Sequence, residues 1–185
     1  RILLFLIIPV ALAIHTVTSW LCAMTLRTGW DSAIMGPYFV AGAFVAGSAA
    51  VIVTMFFFRK HFHLKEYITL KHFDQMGKLL VLVSLVYVYF NINEILVPAY
   101  KFKVAEKAHA DAILTGHESL MFWLVQFGGL IIPFGLMLFK KVRRPVPLTF
   151  LSGIVLIGAW LKRYLIVVPT QEDPYLPVQN VPQSW

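Results

Sequence analysis

The chain has 185 residues, of which 59% are hydrophobic and 14% charged. Its mean hydropathy is +0.75, whereas a soluble domain carries about 25% charged residues, so a water-soluble globule is excluded. The formal net charge is +7, and Cys22 is the only cysteine, which rules out an internal disulfide framework, a thiolate zinc site and an iron–sulfur cluster held by this chain alone. Arg1 leads directly into the apolar run ILLFLIIPVALAI without a cleavage pattern, which reads as a chain that begins mid-protein and not as a processed signal peptide.

Windows of about 20 apolar residues, the length that crosses a hydrocarbon core, predict transmembrane helices over 2–25, 36–58, 76–96, 119–139 and 148–168. A β-barrel would need alternating segments of about 10 residues, and runs such as 51–58 do not alternate. The fold class expected is therefore all-α integral membrane. The segment 59–75 is polar, basic and interrupted by aromatics, and 98–117 is a second long connection; each has room for a short interfacial helix.

Five spans put successive loops on alternating faces. Arg1, Arg59, Lys60, Lys65, Lys71, Lys140, Lys141, Arg143 and Arg144 share one face, against Arg27, Lys101, Lys103 and Lys107 on the other. This asymmetry predicts loops 59–75 and 140–147 on the cytoplasmic side and the proline-rich tail 169–185 extended on the opposite, periplasmic side. Anionic headgroups then account for the basic charge, and a nucleic-acid partner is not expected.

Rise per residue gives a depth for each polar group within a span. On the first helix His15 lies roughly 20 Å from the cytoplasmic end, with Thr18 and Ser19 one turn on. On the third, Ser84, Tyr87, Asn91 and Glu94 are spaced by three, four and three residues and share one face. Lys162 and Arg163 stand in the outer half of the fifth helix, and Glu118 and Gln126 mark the outer part of the fourth. Lipid-facing charge is expensive, about 2.5 to 3.5 kcal/mol per residue at a helix centre on insertion scales, so such groups are expected to face inward. Two readings stand at this point: a polar pocket or proton relay joining Glu94, His15, Lys162 and Arg163, or cations that snorkel to the headgroups beside an interfacial Glu94. Small residues at Gly42, Ala43, Ala46 and Gly47 suit close helix packing, Pro9 and Pro133 are expected to bend their spans, and Trp20, Trp30, Tyr38, Tyr100 and Trp123 fit an interfacial aromatic belt. His61, His63 and His72 lie at irregular spacing among lysines and read as a solvated loop rather than a metal site. One histidine well inside a span falls short of the two axial ligands that a transmembrane b-type haem needs, and no phosphate-binding glycine loop is present.

Four strings carry a resemblance: PVALAIHTVTSW at 9–20, GWDSAIMGPYFVAGAFVAG at 29–47, LKEYITLKHFDQMGK at 64–78 and YFNINEILVPAYK at 89–101. Together they resemble the NrfD/polysulfide-reductase membrane-subunit family, most closely the two large membrane subunits of alternative complex III. The resemblance implies the C-terminal half of a longer repeat protein, four helices forming a bundle plus one peripheral. It further implies a subunit without cofactors of its own, in the bacterial inner membrane, within a quinol-oxidising complex whose electrons leave through iron–sulfur and multihaem c-type cytochrome subunits. Family members associated with quinol oxidation have an acidic residue close after the HTVxS stretch, where Trp20, Leu21 and Cys22 stand here. That departure and the YFNINE string imply the second, paralogous membrane subunit, with a proton route or scaffold favoured over the quinol pocket; no residue is assigned to quinol contact. The proton-pathway candidates are His15, Ser19, Tyr87, Asn91, Glu94, Lys162 and Arg163. Histidine and a desolvated carboxylate suit the proton exchange that quinol oxidation requires. A secondary-transporter half and a purely structural anchor are the competing classes.

Overall fold

The computed structural model describes residues 2–25, 30, 32, 34–101, 111, 113–116 and 118–172. Among these residues five helices are long and apolar enough to cross a membrane: α1 (Ile2–Ala23), α2 (Met35–His61), α3 (Leu70–Lys101), α4 (Ser119–Met137) and α5 (Pro145–Glu172). The all-helical membrane architecture expected from the sequence is thus the fold. Its physical basis is that hydrocarbon offers no hydrogen-bond partners, so each spanning backbone must satisfy itself.

Helices α2, α3 and α5 overrun the windows set by hydropathy, whereas α1 and α4 end two residues short of theirs. Residues 59–61 and 70–75 of the polar segment extend α2 and α3, leaving 62–69 as the connection, shorter than the segment in which the sequence left room for an interfacial helix. Arg59, Lys60 and His61 occupy the last turn of α2, where positive charge complements the helix dipole. His63, at φ 56°, is the left-handed residue of that connection. The fifth helix continues through Pro169 to Glu172, four residues into the tail expected to be extended from residue 169; 173–185 lie outside the described residues. Arg1, Arg27, Lys103 and Lys107 of the charge comparison also fall outside them.

Helices α2, α3, α4 and α5 form the bundle, with α2 packed on both α3 and α5 and α4 packed on α5. The peripheral helix is α1, which rests on α2. Gly36 makes that contact possible, since a Cβ there would stand 2.8 Å from the Trp20 indole nitrogen. Inside the bundle Ile52, Phe73, Leu80, Met137 and Leu148 are fully buried.

At the Arg59 end, Arg143 closes the bundle. Its Nε donates to Asp74 Oδ1 at 2.8 Å, and one terminal nitrogen donates to the carbonyls of Met137 and Leu138 at 3.3 and 3.2 Å, satisfying the C-terminus of α4. Lys78 Nζ meets the second Asp74 oxygen at 2.7 Å.

Helix α4 is not uniform. A π-helical stretch, Leu124–Ile131, separates two α-helical pieces, Ser119–Trp123 and Ile132–Met137. Pro133 explains the location: it cannot donate to the carbonyl four residues back, and its ring crowds that carbonyl in an α-helix. Widening the preceding turns relieves the crowding, so the bend expected at Pro133 is expressed as a change of helix type. Gly129 in this stretch crosses Gly158 of α5 so closely that a Cβ built on either glycine would lie 2.8 or 2.6 Å from the other's Cα. Gly158→Ala must therefore separate two backbones and is expected to cost about 1–3 kcal/mol, read as a lowered thermal midpoint of the purified protein. Gly153→Ala, where a Cβ meets nothing within 4 Å, is the control and should leave the midpoint unchanged.

Candidate functional site

The polar face of α3 turns into the bundle. Ser84, Tyr87 and Asn91 are buried and Glu94 is half-buried, as the three-four-three spacing requires. From α5, Lys162 is 6% exposed, and its Nζ stands 3.0 Å from Glu94 Oε2. The approach is off the directions of a hydrogen bond: the carboxylate oxygen is buried and receives none among the described residues. Lys162 Nζ also lies 5.3 Å from the centroid of the Phe122 ring on α4, a cation–π contact that offsets part of its desolvation.

Below this pair runs a second set of contacts. The Tyr38 ring of α2 stacks on Tyr87 with centroids 5.1 Å apart and 5° between planes. Tyr87 donates its hydroxyl proton to the Tyr38 hydroxyl at 3.3 Å, and Tyr38 donates to Asn91 Oδ1 at 3.5 Å. Asn91 in turn donates from Nδ2 to the Tyr87 carbonyl at 3.1 Å. Gly42 makes space for the stack, because a Cβ there would stand 3.0 Å from Tyr87 Cε2. Its role is to admit a ring from α3, more specific than the general close packing expected of it.

Four of the seven sequence candidates therefore come together: Tyr87, Asn91, Glu94 and Lys162. The other three lie apart. His15 on α1 binds its own helix, Nδ1 being 2.8 Å from the Ala11 carbonyl. Ser19 is buried at the α1–α2 contact and donates to the Thr16 carbonyl at 2.7 Å. Arg163 is exposed, one position round the helix from Lys162.

Tyr38, Phe122 and Gln126 complete the site. The sequence placed Tyr38 in the aromatic belt, but its burial and stacking on Tyr87 make it an interior residue. Gln126 lies in the π-helical stretch and is 8% exposed; the pair Gly128–Gly129 ahead of Pro133 was the available sequence signal for that distortion. Gln126, Tyr87, Asn91 and Lys162 line a cavity of about 10 Å³, sufficient for about one water molecule. Among the described residues no three His, Cys, Asp or Glu side chains gather into a metal-binding group.

A buried ammonium without its counter-ion is costly, so the pair should behave as a unit. Lys162→Met alone, which leaves Glu94 unpaired, is expected to destabilise by about 3 kcal/mol, the lower end of the usual range because Glu94 keeps some solvent contact. The double change Glu94→Gln with Lys162→Met should recover most of that loss in a thermal-unfolding double-mutant cycle.

A search of curated proteins finds no match to this chain. The family model described as polysulphide reductase, NrfD, matches residues 1–173, which include all five helices. An all-helical membrane fold with charged and amide side chains gathered inside a four-helix bundle agrees with that match. The chain belongs to the polysulphide reductase NrfD family, whose members are membrane subunits of quinol-linked redox complexes.

Proposed function

We propose that this chain is a membrane subunit of a quinol-oxidising respiratory complex and that the Glu94–Lys162 pair, with Tyr87, Asn91 and Tyr38, forms a proton route through its outer half. The observation that carries the reading is the ion pair itself, 3.0 Å across, with the Lys162 side chain buried and Glu94 half-buried. Oxidation of a quinol releases two electrons and two protons, and the protons need acceptors able to change charge. Glu94 is such a group, Lys162 compensates its charge, and the tyrosine hydroxyls and Asn91 amide offer hydrogen-bonding positions next to it. The electrons leave by other routes: we assign their transfer to iron–sulfur and multihaem c-type cytochrome subunits, with a paralogous membrane subunit beside this one, as in alternative complex III.

Polar groups gathered toward one end of the bundle support this reading over a solute-carrying role, whose site would lie near the midplane.

Glu94→Gln keeps the hydrogen-bonding shape and removes the titration. In the assembled complex in liposomes, normalised to haem content, it should slow proton release coupled to quinol oxidation by about a hundredfold. Wild-type proton release and turnover would assign the pair to scaffolding.

The orientation proposed is bacterial inner membrane with the 62–69 connection cytoplasmic, on the charge asymmetry of the loops. Lys65→Cys, introduced after removal of Cys22, should resist an impermeant thiol reagent in intact cells and react after permeabilisation. Labelling in intact cells would reverse the orientation.

A further inference from the structure

We propose that Phe122 is a positioning residue: its ring face holds the Lys162 ammonium beside the Glu94 carboxylate instead of on its hydrogen-bonding axis, and so keeps Oε2 open to take a proton. Glu94 Oε2 is buried and stands 3.0 Å from Lys162 Nζ, well within bonding reach, yet it receives no hydrogen bond among the described residues. An ammonium carries three donors on a long rotatable stem and ordinarily turns one of them onto a carboxylate at that distance. A second attraction is needed to hold it off. The Phe122 ring supplies one from α4, with Nζ 5.3 Å from its centroid.

A cation–π contact strengthens when both partners are desolvated, and Lys162 and Phe122 are both buried. The ring is also fixed. Trp123 meets it edge-on, centroids 5.3 Å apart and planes at 77°, and Trp123 is itself anchored by donating from Nε1 to the Leu114 carbonyl at 3.2 Å. Val125 and Leu165 pack with Phe122 in a small apolar core of their own. A ring held this way cannot follow the ammonium, so the ammonium settles where the two attractions balance. The chemical consequence falls on Glu94. A carboxylate oxygen that accepts a direct N–H bond must lose it before it accepts a proton, and one left without that bond is spared the step. Charge compensation is kept, because the Coulomb attraction across 3.0 Å does not depend on where the N–H bonds point.

The placement of Lys162 by Phe122 rests on this geometry; its bearing on proton transfer deepens the function proposed above and rests on it. The test replaces Phe122 in the assembled complex with phenylalanines carrying one, two and three fluorines, which keep nearly the same shape while drawing electron density from the ring face. The Glu94 carboxylate is followed by its infrared stretching band, identified as the band lost in Glu94→Gln. Each added fluorine should move that band further toward the frequency of a hydrogen-bonded carboxylate as the ammonium turns onto Oε2, and Phe122→Leu should reach the end point directly. A band that stays in place through the fluorinated series overturns the proposal, even where Phe122→Leu moves it, since the ring then only fills space. Proton release coupled to quinol oxidation, measured on the same preparations, should slow by about tenfold across the series, the weight of a desolvated cation–π contact. A graded band with wild-type proton release upholds the positioning of Lys162 and counts against the proton route through Glu94.

Discussion

An ammonium group inside an apolar bundle is the constraint on which the rest of this structure depends. Lys162 cannot be left unpaired at that depth, so a carboxylate from a different helix must reach it, and Glu94 does. Meeting that requirement fixes the register of α3 against α5. Once Glu94 is placed, the helical period brings Asn91, Tyr87 and Ser84 to the same inner face, and each must find polar company or remain costly. Tyr38 from α2 supplies it for Tyr87 and Asn91. Phe122 and Gln126 of α4 close the remaining side of Lys162. All four bundle helices are thus tied to one charge.

The same α3 face reaches the other charged cluster. Asp74, Gly77, Leu80, Ser84, Tyr87, Asn91 and Glu94 recur at three- and four-residue spacing along it, so one helix presents an ionic contact at each end, about 30 Å apart. Asp74 binds Arg143 and Lys78 where α4 turns into α5. Between Asp74 and Ser84 the stripe is Gly77 and Leu80, and Leu80, Ile52, Met137 and Leu148 are fully buried there. An apolar layer of this kind raises the electrostatic cost of moving charge between the two clusters.

Periodicity and depth made the five spans and the α3 stripe legible in the sequence, because both follow from rise per residue. Azimuth was not legible. Lys162 and Arg163 are neighbours at nearly equal depth, yet successive residues point about 100° apart round a helix; one is buried against Glu94 and the other is exposed. His15 shares their depth but sits on the peripheral α1, whose contacts are with α2. Which helix lies outside the bundle is a long-range property that hydropathy does not encode, since lipid-facing and protein-facing apolar residues have the same composition. Tyr38 was misplaced for a related reason: an aromatic near a span end suits the interface and the interior equally, and only its partner on α3 decides.

The two glycines at the α4–α5 crossing show why a functional position can depend on residues without chemistry. In a membrane, apolar burial drives helix association weakly because lipid tails are as apolar as the helices, so close backbone approach and polar contacts decide the packing. Gly158 precedes Lys162 by four residues, which puts both on one face of α5, and Gly129 and Gln126 of α4 line the same cavity. Shifting the crossing by one residue on α5 would turn Lys162 through about 100° and out of the interior. On α4 the π-helical turns alter that register locally, and they coincide with Gln126 and with Gly129. The close crossing and the widened helix therefore act together: one fixes where α5 presents its cation, the other where α4 presents its amide, and the cavity is what remains between them.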